Sequence, residues 1–154
     1  MNQAFGNRHH HKGYLLKSNA EYSFALLLDR LMEAEGDGRV LSWSYEPRPP
    51  FWFDKIKQGT LSYLPDFKVE WHGGEVVFYE IKRGYFEQKD ITKYRRMASR
   101  HPNVKLVLVF QEISQTNSRS AIRLRCLIDT AKKYVDHIWQ VGEDYKRLGI
   151  PTKF

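Results

Sequence analysis

The chain has 154 residues, of which 42% are hydrophobic and 14% aromatic, and its formal net charge is +7. This composition excludes a disordered chain, and the length predicts one domain that buries about two-thirds of its unfolded surface. The single cysteine, Cys126, excludes an internal disulfide framework, and no apolar run approaches membrane-spanning length. We therefore expect a soluble protein of the cytoplasm with a polyanionic partner.

The chain is predicted to consist of a short N-terminal arm and one domain. The polar, histidine-rich residues 1–12 are expected to form a flexible basic arm, and residues 13–154 a single domain. Ser18-Asn19-Ala20-Glu21 fits a capping box, in which serine and glutamate bond free amides at a helix start. It predicts a helix to about Glu35 with an apolar stripe of Phe24, Leu27, Leu28 and Leu31.

The next segment alternates as a strand over residues 40–46, which places Leu41, Trp43 and Tyr45 on one face. Residues 47–58 contain three prolines and are expected to form a loop. Several aromatic residues in this part of the chain have no obvious place in so small a core. They are predicted to supply a subunit interface, with capping of the sheet as the alternative: Trp43, Phe51, Trp52 and Phe53.

Two carboxylates lie in the strand-like runs that follow, Asp66 in residues 63–71 and Glu80 in residues 76–82. Lys82 shares the face of Glu80, because a strand has a period of two. Carboxylate oxygens bind Mg²⁺, which lowers the pKa of a bound water, and an ammonium orients that water or neutralises a phosphate. The pattern therefore predicts phosphodiester hydrolysis; the alternative is an incidental ion pair on a solvated face.

The register of these two strands decides whether the carboxylates meet. A two-residue Gly73-Gly74 turn would place Asp66 and Glu80 on opposite sides of the sheet. A three-residue turn that includes His72 places Asp66 opposite Glu80 and gives the other face an apolar set. We expect the second register, although a bulge near Pro65 would rescue the first. Its predicted apolar pairs are Phe67 with Tyr79 and Val69 with Val77.

Positive charge is concentrated after Lys82, where a helix is predicted from about Gln88 to His101. Lysines, arginines and interleaved aromatic residues are typical of nucleic-acid binding, because the basic groups contact phosphates. We expect DNA as the partner, with a solvated basic face or a membrane-surface patch as alternatives. The predicted DNA contacts are Lys17, Arg83, Lys89, Lys93 and Arg96.

The C-terminal third is predicted to hold a buried strand over residues 104–110, a loop, and a helix over residues 120–139. A strand through Ile122 and Leu124 is the alternative at the start of that helix. Apolar neighbours predict that Cys126 is buried and unreactive. The order helix, strands, helix, strand, helix predicts a mixed α/β domain with a central sheet.

These motifs, in this order, resemble the PD-(D/E)xK nuclease superfamily, and more narrowly the bacteriophage endonuclease I group of Holliday-junction-resolving enzymes and related small phage nucleases. The resemblance spans roughly residues 13–110 and implies a restriction-endonuclease-like fold, with a central mixed sheet flanked by helices. The matching segments are Ser18-Asn19-Ala20-Glu21, Tyr45-Glu46, Tyr63-Leu64-Pro65-Asp66-Phe67, Glu80-Ile81-Lys82, and the region from Arg95 to Phe110.

The resemblance also implies roles for residues. Asp66, Glu80 and the Ile81 carbonyl would ligate Mg²⁺, with Mn²⁺ able to substitute, and Lys82 would serve the water or the phosphate. Glu21 would complete a second metal position, with helix capping as its alternative role. Gln88 and Tyr94 resemble the glutamine and tyrosine that follow the lysine in RecB-like nucleases.

Three functions follow from the sequence. The first is a homodimeric, metal-dependent DNA endonuclease selective for branched DNA in phage replication or recombination, acting in the host cytoplasm if phage-encoded. The second is a nicking, restriction-like or transposase-subunit endonuclease. The third is a non-catalytic nucleic-acid-binding protein of the same fold, which the intact set Asp66, Glu80 and Lys82 disfavours.

Overall fold

The computed structural model describes residues 8–54, 57, 59, 61–83 and 85–150. Its centre is a five-stranded mixed sheet, and the strands are β3 (Val40–Tyr45), β6 (Phe67–Trp71), β7 (Val76–Lys82), β8 (Leu106–Phe110) and β9 (His137–Gln140). Their order across the sheet is β3-β6-β7-β8-β9, with β7 in the middle. The first three strands in this order pair antiparallel and the last three pair parallel.

Helices cover both faces of this sheet. Helix α1 (Asn19–Glu33) packs on one face, and helices α2 (Gln88–Arg100) and α3 (Arg119–Ala131) pack on the other. Every residue of β8 is buried, as a strand covered on both faces requires. Its side chains alternate between the two cores: Val107 and Val109 join α1, whereas Leu106, Leu108 and Phe110 join α2 and α3. The predicted α/β class with a central mixed sheet flanked by helices is confirmed.

The register between β6 and β7 is the one that joins the carboxylates. Phe67 pairs with Tyr79 and Val69 with Val77, as predicted. The amide of Trp71 donates to the carbonyl of Glu75 at 2.8 Å, so the turn consists of residues 72–74. Gly73 and Gly74 have φ values of 95° and 89°, which glycine adopts without strain.

Helix α1 begins as the capping pattern predicts. The hydroxyl of Ser18 accepts a hydrogen bond from the amide of Glu21 at 3.1 Å. The Glu21 carboxylate reaches back to the amide of Lys17 at 2.8 Å, rather than to the amide of Ser18. This end of α1 is therefore held from both sides, close to the start of β6.

Part of the predicted N-terminal arm forms a strand in the described residues, and its flexibility stays a prediction. Strand β1 (His9–His11) pairs antiparallel with β2 (Tyr14–Leu16) in a hairpin. The hairpin is tied to α1, because Nε2 of His11 lies 2.6 Å from Oδ2 of Asp29 and the His9 ring stacks on Tyr22. Residues 1–7, the rest of the expected arm, lie outside the described residues.

The C-terminal region also differs from its prediction. Helix α3 ends at Ala131, and the expected helix to Trp139 is replaced by β9, followed by the short helix α4 (Gly142–Arg147). The physical reason is the free edge of β8, which β9 pairs from Val107 with His137 to Phe110 with Gln140. Ile122 and Leu124 are helical, so the alternative strand there is wrong.

The predicted burial of Cys126 is wrong. Cys126 is exposed, because apolar neighbours along a helix do not all face the core. The predicted common face of Leu41, Trp43 and Tyr45 is wrong for Leu41, which is exposed, because a register irregularity between Val40 and Ser42 interrupts the alternation. None of the helices in the described residues is long and apolar enough to cross a membrane.

The aromatic residues predicted for a subunit interface are mostly used within the fold. Phe53 is buried, Phe51 packs beside it, and Trp43 packs on the α1 core, where its ring nitrogen donates to Asp29 at 2.9 Å. Trp52 remains 59% exposed. Residues 47–58, expected to form a loop, contain β4 (Phe51–Trp52), which pairs with β5 (Ser62–Tyr63) in a small second sheet.

Candidate active site

Asp66 and Glu80 meet where β6 begins and β7 approaches its end. The β6–β7 register, continued by one residue, places Asp66 opposite Glu80. Oδ2 of Asp66 accepts a hydrogen bond from the amide of Ile81 at 2.8 Å, which joins the two strands at this point. Glu80 is only 8% exposed, and its Oε2 accepts a 2.6 Å hydrogen bond from the hydroxyl of Tyr63.

Two lysines and a third carboxylate surround Glu80 on the face of the sheet covered by α2. Nζ of Lys82 lies 3.6 Å from Oε1 of Glu80 and 3.0 Å from Oδ1 of Asp90. Nζ of Lys93 lies 3.3 Å from the same Glu80 oxygen and 3.6 Å from the same Asp90 oxygen. Glu80 and Asp90 therefore form one ion network with two largely buried lysines, Lys82 and Lys93.

The aspartate Asp90 links this network to the start of α2. Its Oδ2 accepts a hydrogen bond from the amide of Glu87 at 2.9 Å, at the N-terminal end of the helix. Burial raises the pKa of Asp90, but the Glu87 amide and the Lys82 ammonium outweigh burial and hold it below its ordinary value. Asp90 is therefore an anion that binds both α2 and Lys82.

Asp66 is a buried carboxyl that lies close to two other carboxylates, those of Glu80 and Glu21. Burial raises its pKa well above the ordinary value, and the nearby carboxylates of Glu80 and Glu21 raise it further. The Ile81 amide and the Lys82 ammonium act in the opposite direction without reversing the shift. Asp66 therefore lies in a position where an added cation would be stabilised.

Two tyrosines complete the site. Burial, followed by the charge of Glu80, raises the pKa of both Tyr63 and Tyr94 well above the ordinary value, so both hydroxyls remain protonated donors. The Tyr63 hydroxyl is used by Glu80. The Tyr94 hydroxyl is buried and has no hydrogen-bond partner within the described part of the chain.

Glu21 reaches the edge of the site but is held on its own side of the sheet. Its Oε2 accepts hydrogen bonds from the amide of Lys17 and from the hydroxyl of Tyr45, both at 2.8 Å. It is close enough to Asp66 to raise the pKa of that carboxyl. The structure thus supports the capping role of Glu21, and its role as a metal ligand stays a prediction.

The predicted DNA contacts occupy different environments. Arg83 and Lys89 are exposed, and Lys89 pairs with Glu87 at 3.0 Å. Lys17 is exposed and forms an ion pair with Glu46, and Arg96 is half-buried. Lys93 belongs to the Glu80–Asp90 network, where its side chain is 21% exposed, so it is a member of the site rather than only a surface cation.

Sequence reasoning missed two members of the site, Tyr63 and Asp90. The spacing of Asp90 from Glu87 matches a capping box and could have revealed it, because an acidic residue at this position bonds the free amide of the helix start. Tyr63 gave no such indication, since it lies in a different sheet from Glu80 and meets it only in the folded chain. The predicted residues Asp66, Glu80 and Lys82 are brought together.

The residues present fit a hydrated divalent cation. No three histidine, cysteine, aspartate or glutamate side chains converge on one point in the described ranges. Mg²⁺ is commonly held by one or two carboxylates together with waters and substrate phosphates, so Asp66 and Glu80 suffice as protein ligands. The buried hydroxyl of Tyr94, which has no hydrogen-bond partner among the described residues, fits a site completed by water, and the carboxylates gathered around Asp66 fit a bound cation.

Comparisons with known proteins add no relative: no protein-family model matches the chain, and neither a curated protein nor a solved structure matches it.

Proposed function

We propose that the protein is a divalent-metal-dependent DNA endonuclease of restriction-endonuclease-like fold that acts in the cytoplasm. The observation that carries this proposal is the position of Asp66 opposite Glu80 on paired strands, with Lys82 beside Glu80. This is the arrangement that the PD-(D/E)xK resemblance leads one to expect, and it depends on a register that a one-residue slip would destroy.

In this proposal the side chains of Asp66 and Glu80, with the carbonyl of Ile81, hold Mg²⁺ or Mn²⁺. The bound cation supplies Lewis-acid stabilisation of the phosphate and lowers the pKa of a water. Tyr63 fixes Glu80 by its 2.6 Å hydrogen bond. Asp90 holds the Lys82 ammonium beside Glu80 at 3.0 Å from its own Oδ1, where the ammonium neutralises charge that develops on the scissile phosphate.

The substrate is proposed to be DNA, and more specifically branched DNA. Three basic side chains are exposed and would contact the DNA backbone beside the site: Lys17, Arg83 and Lys89. Selectivity for a four-way junction, and two copies of the chain acting on it, rest on the resemblance to the junction-resolving nucleases. Resolution requires two symmetrical cuts, and one chain supplies one set of Asp66, Glu80 and Lys82.

The experiment is cleavage of a labelled four-way junction beside a linear duplex of the same sequence, in Mg²⁺ and in EDTA. We expect cuts in the junction that require the cation, and little cutting of the duplex. Equal cutting of both substrates would support the nuclease activity and contradict the selectivity for junctions. Binding without cleavage of either, in Mg²⁺ or Mn²⁺, would favour the non-catalytic DNA-binding protein.

A further inference from the structure

Lys93 is placed where a phosphate-binding lysine of the helix surface would not be expected. Its Nζ lies 3.3 Å from Oε1 of Glu80, inside the ion network of the site. The ammonium also lies 4.7 Å from the ring centroid of Tyr63 and 5.2 Å from that of Tyr94. The position is thus stabilised by a carboxylate and by two aromatic faces.

Lys93 contacts Oε1 of Glu80, which is the oxygen that a bound divalent cation would use. Oε2 of Glu80 already accepts the hydrogen bond of Tyr63, so Oε1 is the oxygen turned toward the charged groups. A divalent cation bound by Glu80 and the ammonium of Lys93 therefore compete for the same atom. Placing both there would bring two cations within a few ångströms of each other, which is strongly unfavourable in a buried site.

Of the two lysines on Glu80, Lys93 is the one that can leave. Lys82 makes its shorter contact with Asp90, at 3.0 Å, and its side chain is 11% exposed. Lys93 makes its shorter contact with Glu80, at 3.3 Å, and its side chain is 21% exposed. Loss of the Glu80 contact would thus leave Lys82 anchored on Asp90 and would free Lys93.

The surface that Lys93 would move toward is basic. Lys89 and Arg96 lie on the same side of α2, one turn before and one turn after Lys93. With Phe53 and Gly59 these residues line a cavity of about 170 Å³ that opens next to the site. An ammonium that rotates from Glu80 into this cavity joins other cations at a place suited to a backbone phosphate.

We propose that Lys93 is an exchangeable counter-ion of Glu80: it occupies Oε1 in the metal-free protein and moves to a substrate phosphate when a divalent cation binds. This inference rests on the proposed nuclease function. It makes metal binding and DNA binding mutually favourable, because the cation releases a phosphate contact and the phosphate removes a competitor of the cation. Such coupling acts by the same factor in both directions.

The first test is the affinity for Mn²⁺ in the absence of DNA, measured by titration calorimetry. Lys93→Met keeps an unbranched side chain of similar length and removes the charge, so we expect the variant to bind Mn²⁺ about tenfold more tightly than the wild type does. Lys93→Arg keeps the charge and should bind Mn²⁺ like the wild type. Lys105→Ala, which removes an exposed lysine paired with Glu75, should leave the affinity unchanged.

The results separate this inference from the proposed function. A wild type that binds Mn²⁺, beside a folded Lys93→Met variant that binds it equally or more weakly, overturns the exchange and leaves the nuclease assignment in place. A wild type that binds no divalent cation overturns both. Thermal melting of each variant shows that it is folded.

The second test is the salt dependence of DNA binding, in EDTA and in Ca²⁺, with Ca²⁺ chosen as an oxygen-binding cation. In EDTA, Lys93→Met and Lys93→Gln should show the wild-type slope, because Lys93 is held by Glu80. In Ca²⁺ both variants should show a slope lower than that of the wild type by about one unit, which corresponds to one phosphate contact. Lys89→Ala should lower the slope in both conditions, and an equal loss for the Lys93 variants in both conditions would overturn the exchange.

Discussion

The hydroxyl of Tyr63 donates a 2.6 Å hydrogen bond to Oε2 of Glu80, although the two residues belong to different sheets. Tyr63 is 4% exposed and Glu80 is 8% exposed, so water does not replace this bond readily. The small sheet of β4 and β5 therefore orients a carboxylate of the central sheet. This orientation is what turns Oε1 of Glu80 toward Lys82 and Lys93.

Removing the Tyr63 hydroxyl should harm both stability and activity. Tyr63→Phe leaves a buried carboxylate oxygen without its donor, which we expect to lower the free energy of unfolding by about 1–3 kcal/mol. Cleavage should fall about tenfold, because Glu80 is no longer fixed. Tyr85→Phe is the matched control, since Tyr85 is 71% exposed and its hydroxyl bonds Glu87 away from Glu80. Denaturant unfolding and single-turnover cleavage measure the two effects, and a Tyr63→Phe protein as stable and active as the control would contradict the role assigned to this bond.

The raised pKa of Asp66 predicts a pH-dependent gain in stability for Asp66→Asn. Burial and the carboxylates of Glu80 and Glu21 make the folded protein bind this proton more tightly than the unfolded chain does. Stability is therefore lost as pH rises from the unfolded-state pKa to the folded-state pKa. In EDTA near neutral pH, Asp66→Asn should melt about 2–4 °C above the wild type, the shift expected for about 1 kcal/mol.

The control for the Asp66→Asn experiment is the difference in melting temperature at low pH. Below about pH 4 the Asp66 carboxyl is protonated in both states, so the difference in melting temperature should disappear. Asp129→Asn removes a carboxylate whose side chain is 73% exposed and should give no gain at any pH. Added Mg²⁺ should raise the melting temperature of the wild type and leave Asp66→Asn unchanged. A lower melting temperature for Asp66→Asn in EDTA would show that the Asp66 charge is compensated in the folded protein.

Replacement of Lys82 should lower the rate of cleavage without lowering the affinity for DNA. Lys82→Met keeps the length of the side chain beside Phe86 and Tyr94, whose ring centroids lie 5.6 and 5.7 Å from Nζ. We expect cleavage to fall about 10²–10³-fold through loss of charge stabilisation. DNA affinity should change little, because Lys82 is nearly buried. Gel-shift and single-turnover measurements on the same preparation test this, with Lys105→Met, an exposed lysine paired with Glu75, as the control. Equal losses of binding and cleavage would place Lys82 in the substrate interface instead.

The proposed dimer is a prediction about assembly on the substrate. With Trp43, Phe51 and Phe53 engaged within the fold, Trp52 is the member of the original aromatic set that remains free for an interface. Light scattering at micromolar concentration should give twice the 18.3 kDa mass of the chain for the free protein, or the mass of the junction plus two chains for the complex. Trp52→Ala is the variant expected to weaken the dimer. A strict monomer, free and on a junction, would contradict junction resolution and favour a nicking enzyme.

The parts of the site that the sequence predicts are those set by local rules. The period of two placed Lys82 beside Glu80, and apolar matching across the glycine turn selected the register that joins Asp66 to Glu80. The parts that escaped depend on long-range packing. Tyr63 of the small β4–β5 sheet bonds Glu80 of the central sheet, a contact between two sheets, and β9 forms because β8 offers an edge that no local pattern reveals.

Lys93 shows a second limit of prediction from sequence. Its place on a basic helix indicates a phosphate contact, and the same helical spacing puts it one turn after Asp90 and next to Tyr94. Whether such a lysine faces solvent or the sheet depends on the rotation of α2, which is set by the buried residues Ile91, Tyr94 and Met97. The sequence pattern alone does not determine the rotation of α2 about its axis to better than a fraction of a turn.

The central claim is that Asp66 and Glu80 form a metal-dependent hydrolytic site, and single-turnover cleavage of a four-way junction in Mg²⁺ by charge-neutral variants tests it most directly. Asp66→Asn and Glu80→Gln should each reduce cleavage by about 10³-fold or more while binding the junction as tightly as the wild type or more tightly, because each removes a metal ligand without changing shape. Glu75→Gln, which changes an exposed carboxylate directly before β7, should cleave at the wild-type rate. Wild-type cleavage by Asp66→Asn in Mg²⁺ would contradict the account.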